Sequence, residues 1–419
     1  MAQLAYARDV RIPTIVGIYK SRIAALEAFE REQPTLAASR RTRTQIFSYA
    51  NSLKAEEGQL AGLRDPVLFG RRAAGEAAFR AQLQQRPALA TQATLIDSIA
   101  AVSRDLTAIG PRVYGFLSNP DIGSATLGRA TLAIRVANAQ AGGAPAAQLD
   151  QLRRALAQIA DKPPALERQL VAAQIGDLIR GLGARDTLVV GILAGRTPDA
   201  VAADLLAHTR LADSAQVAAV LGENMATTTD AAIAYVRRVT PVTSPLRDRA
   251  RGLSARADNL AARLGRARFD VYGRTLPPDA TFTLRLADGR VAGYPYNGTW
   301  APPFTTFYGV YERAAAVGGK APWSLPQRWR KPPAGLDLGT PLDLVSTNDI
   351  IGGNSGSPLL NRKLEVVGLI FDGNMESLPG EFIYTDERAR ALSVDVRGIL
   401  AALRTPYGAT RIVAELNKR

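Results

Sequence analysis

The sequence predicts an α+β protein in which an all-helical amino-terminal part precedes a smaller antiparallel β part. Three observations carry this. From about Ile15 to Arg238, apolar residues recur at intervals of three and four among Ala, Leu, Arg, Glu and Gln, the pattern of amphipathic helices. After Thr240-Pro241 and one more long helix, the texture changes to Gly, Pro, aromatic residues and short alternating runs. With 419 residues, 47% of them apolar, the chain is long enough for two or three packed cores.

The elements follow in order. Helix breaks are predicted at Gln33-Pro34, Asp65-Pro66, Asn119-Pro120, Ala141 to Pro145, Lys162 to Pro164 and Arg196 to Pro198, which leaves segments of ordinary helix length. No fixed repeat period is present, which argues against a solenoid. A last long helix is expected over Pro245 to Arg266. Thr281 to Ala287, Asp288-Gly289 and Arg290 to Tyr294 read as a hairpin, because Asp-Gly supplies the positive φ angles of a tight turn. Further strands are expected at Leu342 to Ser346, Ser357 to Asn361, Leu364 to Phe371, Glu381 to Tyr384 and Ala391 to Val396, too few for two closed barrels. Gly398 to Arg404 and Ala409 to Leu416 read as closing helices. The domain expectation is a helical domain over 1–266 and a β domain with carboxy-terminal helices over 267–419.

Composition narrows the chemistry. The net charge of +14 points first to nucleic acid, yet only seven of the 52 basic residues are Lys, and the arginines are scattered among Asp and Glu. No basic stripe with interleaved aromatics appears, so no nucleic-acid partner is expected. The absence of Cys removes disulfides, thiolate metal sites and cysteine nucleophiles. The single His, His208, removes multi-histidine metal sites and leaves at most one imidazole base. No cofactor or metal is therefore expected. Residues 1–17 lack the basic start, apolar core and small-residue cleavage site of a signal peptide. The longest apolar run, around Leu188 to Ala194, is far short of the about 20 residues of a spanning helix.

The most informative segment is NDIIGGNSGSPLL, Asn348 to Leu360. A serine nucleophile needs a tight turn that exposes its oxygen and aims backbone N–H groups at the developing oxyanion, and glycines before and after the Ser permit that turn. Ser355 is the nucleophile on this reading, with the N–H groups of Gly353 and Ser355 forming the oxyanion hole. A Gly/Ser/Asn hairpin loop of no catalytic purpose has the same short pattern. The Pro and the strand that follow favour the catalytic reading.

Gly-Asn-Ser-Gly-Ser-Pro resembles the nucleophile loop of chymotrypsin-clan peptidases. Asp279 to Leu286 (DATFTLRL), Gly293 to Pro295 (GYP), Pro302 to Ala314 (PPFTTFYGVYERA), Ser346 to Pro358, and Val366 to Tyr384 (VVGLIFDGNMESLPGEFIY) together resemble the bacterial dipeptidyl-peptidase 7 and 11 family. In the helical half, Tyr49 to Arg64 (YANSLKAEEGQLAGLR) is similar to it as well. The resemblance implies an exopeptidase releasing dipeptides from free amino termini. It implies a helical domain capping the cleft, followed by part of a chymotrypsin-like antiparallel β-barrel, the second of two, which carries the nucleophile. In that family the triad His and Asp precede the helical domain, so this chain is expected to be a fragment lacking both, inactive by itself.

The remaining site residues rest on the same resemblance. Asp372 is similar to the family's amine-binding Asp and Asn51 to the Asn that shares this task; without the family match, Asp372 reads as a turn residue at a strand end and Asn51 as a solvated helix residue. The residue after the amine-binding Asp separates the subfamilies, Arg pairing with acidic substrates and Gly leaving an uncharged pocket. Gly373 therefore implies an apolar side chain at the penultimate substrate position. Asp349 is read as structural rather than as a pocket floor, because the family carries Thr-Asn-Asp-Ile whatever its preference. His208, in DLLAHTRLAD, lies at a position the family motif does not mark and is read as a locally bonded histidine. The implied partner is a peptide with a free amino terminus. A homodimer and, for the full-length family, a periplasmic or cell-envelope location are also implied. The alternative is a catalytically inactive remnant that binds peptides or a partner.

Overall fold

The computed structural model describes residues 1–114, 121–275, 284, 286–320 and 323–417. The chain divides into two compact units, Met1–Arg64 with Ala73–Pro277, and Asp65–Arg72 with Pro278–Arg419.

The first unit is helical. As expected, helices begin at the predicted prolines: Pro34–Ser39, Pro66–Gln84, Pro164–Leu182 and Pro198–Ala207. Proline suits a first helical turn because its missing N–H is one that the turn leaves unpaired anyway. Thr197 caps the helix at Pro198 by accepting from Ala200 N, and Asp230 caps Ala231–Tyr272 by accepting from Ala232 and Ile233 N. The three-and-four spacing becomes the core. Leu127, Ala130 and Ala133 of Ala125–Ala141 pack with Val171, Ile175 and Leu178 of Pro164–Leu182 and with Ile233 and Val236. Each fully buried Leu, Ile or Val contributes roughly 1.5–3 kcal/mol.

Buried polar groups lock these helices together. Arg22 and Asp177, almost fully buried, meet at 2.5 Å. The fully buried Arg129 donates to the carbonyls of Ile159, Leu211 and Ala212 and to Asp161. Glu167 accepts from Ala125 and Thr126 N, so a carboxylate satisfies the free N–H groups at the start of Ala125–Ala141.

One expected break is absent. Ala231–Tyr272 runs straight through Thr240-Pro241 and past Arg266, with Pro241 and Pro245 inside it. Val236 and Thr243 are buried on either side of Pro241, so packing there overrides the local signal, and Thr240 Oγ1 donates to Val236 O beside the carbonyl that Pro241 cannot bond. The break at Asn119-Pro120 lies outside the described residues.

The second unit holds two small antiparallel sheets among the described residues. The strands are β1 (Tyr294–Tyr296), β2 (Thr299–Ala301), β3 (Phe304–Thr306), β4 (Pro341–Ser346), β5 (Pro358–Leu360), β6 (Val366–Gly373) and β7 (Ala391–Asp395). β1 and β2 form a hairpin; the rest form one sheet in the order β3-β4-β7-β6-β5. This sheet is open among the described residues, with β3 and β5 at its edges. Helix Phe307–Ala316 follows β3, and Val396–Arg404 and Thr410–Leu416 close the chain.

Two strand expectations need correction. Glu381 to Tyr384 is not a strand: a 3-10 helix spans Met375–Glu381, the N–H groups of Phe382 and Ile383 both donate back to Pro379 O rather than to a ladder, and Tyr384 is held by its hydroxyl on Thr347 O. Most of the expected strand over Thr281 to Ala287 lies outside the described residues; residues 286–290 are irregular, and Val291 makes only an isolated bridge with Ser346. The tight hairpin lies a few residues later, where Asn297 and Gly298 take φ of 48° and 75° between β1 and β2.

Candidate active site

The expected nucleophile lies in the tight loop between β4 and β5. Gly353 and Gly356, on either side of Ser355, have φ of 105° and 87°, angles that a side chain would strain. Asn354 organises the turn: its side chain accepts from Ile351 N at 3.0 Å, its N–H donates to Ile351 O, and its carbonyl accepts from Ser357 N. Asn348 ties the loop's start to Ala287 O. Ser355 is exposed. Among the described residues, neither its N–H nor that of Gly353 has a hydrogen-bond partner.

The β5–β6 ladder brings the second element beside it. Pro358 pairs with Leu369, and beyond the strand end Gly356 N donates to Ile370 O while Ile370 N donates to Ser357 O. These bonds bring Ser355 beside the end of β6, with its Oγ 3.5 Å from Phe371 O. Asp372 and Gly373 follow at the end of β6. The Asp372 carboxylate is exposed and accepts from Gly373 N at 2.8 Å. Ser355, Gly353, Asp372 and Gly373 thus lie together in one unit, whereas Asn51 belongs to the other, exposed on helix Thr42–Arg64. Asp349 sits in the same loop as Ser355, and partial burial raises the pKa of its carboxyl.

Gly373 has surroundings that its sequence position did not announce. A Cβ placed there would lie well inside van der Waals contact of Ser377 Oγ and 3.3 Å from Ser377 Cβ. Two further residues shape this region without a local sequence signal. Asn374, buried, donates to Arg388 O and accepts from Arg390 N, which anchors the segment after Gly373. Arg390, also buried, donates to the carbonyls of Ala292, Gly293, Asp386 and Ala389. It thereby holds the Gly-Tyr-Pro segment against the end of β6, and burial lowers its pKa. One arginine among so many in the sequence gives no warning of this; only its four carbonyl partners do.

The lone imidazole is committed elsewhere. His208 is 70% exposed, its Nδ1 2.9 Å from Asp204 O and 3.2 Å from the Asp204 carboxylate. Among the described residues no group of three or more His, Asp or Glu side chains is placed to hold a metal ion, and no helix is long and apolar enough to cross a membrane.

Residues 1–418 match the family model described as Peptidase S46. The chain is similar to dipeptidyl-peptidase 7 of Porphyromonas endodontalis, 36% identical over 150 residues, which is 34% of this chain and 18% of that protein. It is similar along 99% of its length to the Asp/Glu-specific dipeptidyl-peptidase of Shewanella putrefaciens, 24% identical and covering 62% of that protein. Its fold resembles the crystal structure of Porphyromonas endodontalis DPP11, with a TM-score of 0.74 at 18% identity, over 100% of this chain and 62% of that one. The same protein in complex with the dipeptide Arg-Glu matches with a TM-score of 0.75. The chain therefore spans 62% of the length of the proteins that it matches end to end. The family match over nearly every residue, with relatives named as dipeptidyl-peptidases, shows that this chain belongs to the Peptidase S46 family.

Proposed function

We propose that this chain supplies the nucleophile and part of the substrate site of a serine dipeptidyl-peptidase, an exopeptidase that releases dipeptides from free amino termini. The observation that carries the reading is the Ser355 loop: an exposed serine between two positive-φ glycines, with two unpaired N–H groups beside it. On this reading Ser355 attacks the scissile carbonyl and the N–H groups of Gly353 and Ser355 stabilise the oxyanion. Asp372 and Asn51 bind the substrate ammonium. Residues 1–266 form the helical cap, and 267–419 the portion of a chymotrypsin-like barrel that bears the nucleophile. On this reading the general base comes from another part of the whole protein: among the described residues Ser355 Oγ bonds to Phe371 O rather than to a base, and His208 is bound to Asp204. A homodimer and a periplasmic or cell-envelope location complete the proposal for the whole protein.

An apolar penultimate residue is preferred, because Gly373 offers no charge to a substrate carboxylate and each methylene buried there adds roughly 0.8 kcal/mol. An acidic side chain would be desolvated without a partner. The test fuses this chain to an amino-terminal catalytic portion from a family relative and measures kcat/KM on dipeptidyl reporters with Leu, Asp or Arg in the penultimate position. Leu is expected to be favoured, and Ser355→Ala to abolish turnover. Preference for Arg would transfer the pocket floor to Asp349. The unfused chain is expected to show no turnover; Ser355-dependent turnover would mean that a base lies within it. The second reading, a peptide-binding module without catalysis, is favoured by the bonding of Ser355 Oγ to a backbone carbonyl rather than to a base among the described residues, and predicts an inactive fusion that still binds dipeptides.

A further inference from the structure

At Gly373 the direction that a side chain would take is already filled. A Cβ there meets Ser377 Oγ and Cβ, with Arg390 O 3.6 Å away. Backbone torsion is not the obstacle, since Gly373 is not among the glycines of positive φ. Ser377 in turn is held in place. Its Oγ donates to Asn374 O at 2.7 Å and its N–H donates to the same carbonyl at 3.0 Å. Asn374 is pinned to Arg388 and Arg390 by both ends of its side chain and by its own N–H, so the 3-10 turn cannot slide away as a body.

We propose that Ser377 is a specificity-determining residue of the candidate active site: by filling the side-chain direction of Gly373 it keeps that position bare and the adjoining wall uncharged. This rests on the reading of Asp372-Gly373 as part of the substrate site. Position 373 can then face a substrate with a cation only after Ser377 has been cut back. Gly373→Arg alone forces the new side chain into the turn, whereas Gly373→Arg with Ser377→Gly gives it room to meet the carboxylate of an acidic dipeptide as a bidentate pair.

The experiment uses the whole chain and has two arms. In the first, thermal unfolding is followed for Gly373→Ala, Ser377→Gly, Ser377→Ala and the paired variants as double-mutant cycles. Gly373→Ala is expected to lower the Tm, with most of the loss absent in the Ser377→Gly background and part of it absent in Ser377→Ala, which keeps the Cβ but not the hydroxyl. An equal loss in all backgrounds, or none in the parent, overturns the proposal. In the second arm, calorimetry measures binding of Ala-Leu and Ala-Glu. Gly373→Arg/Ser377→Gly is expected to bind Ala-Glu about tenfold more tightly than Gly373→Arg, as a charge-assisted pair allows. Equal affinities overturn the role in specificity even if the cycles show coupling. A parent that binds neither dipeptide overturns the underlying reading of the site and Ser377's role in specificity with it, while the unfolding cycles still decide the packing claim.

Discussion

Arg129 shows what a single side chain holds in place. Its guanidinium is fully buried and donates to three backbone carbonyls from two separate segments, as well as to Asp161. Arg129→Ala leaves those acceptors unpaired and is expected to cost about 3–5 kcal/mol, measurable by urea denaturation. Asp161 supplies a pH signature. Burial raises its pKa, but hydrogen bonds from Ser214 and Arg129 outweigh that and hold the carboxyl below the ordinary aspartate value. Between the two values the unfolded chain binds more protons than the folded one. The contribution is therefore present above the ordinary value and lost as pH falls through the lowered one. Asp161→Asn should flatten the fall of Tm with acidification in that window, compared with the parent. At Ser355 the glycine pattern was legible from the sequence, whereas the occupied space beside Gly373 was not, because Ser377 reaches it through a 3-10 turn.

At the scale of elements, the prolines taught two lessons. Those that begin helices did so where expected, because a first turn tolerates the missing donor. Pro241, exposed within Ala231–Tyr272, instead breaks the ladder of a helix that packing keeps whole. Pro241→Ala is expected to raise stability by about 1–2 kcal/mol in chemical denaturation, the helix gain being partly offset by a more flexible unfolded chain. The sheet behaves differently. β7 buries Ala391, Ser393 and Asp395 at the centre of its sheet, whereas the edge strand β5 and its neighbour β6 leave Leu360, Val366, Leu369 and Phe371 exposed. An edge with unpaired donors and apolar side chains favours association between chains. Leu369→Lys is expected to lower light scattering at high protein concentration with little change in Tm; unchanged scattering would count against this reading of the edge.

Across the whole molecule the two units differ in how much they bury. The helical unit has a continuous core running from Leu127 to Val236, whereas the β unit buries few large side chains, among them Phe307, Leu344 and Ile370. Amide hydrogen exchange is therefore expected to be slowest in Pro164–Leu182 and the first turns of Ala231–Tyr272, and markedly faster in β5 and the Ser355 loop. Uniform protection across both units would contradict this.

The sequence by itself determined the order of helical and β parts, the starts of the proline-led helices, the glycine-flanked turn at Ser355 and, through several separated motifs, the family. These signals are local: periodicity, turn chemistry and short motifs are written in adjacent residues. Tertiary structure alone decided that Ala231–Tyr272 is one helix, that Glu381 to Tyr384 is no strand, and that Arg390 clamps Gly293 across nearly a hundred residues. It also decided that the side-chain direction at Gly373 is filled. Each of these depends on contacts between segments distant in the chain or on packing that outweighs a local preference, and neither is carried by the residues at the position itself.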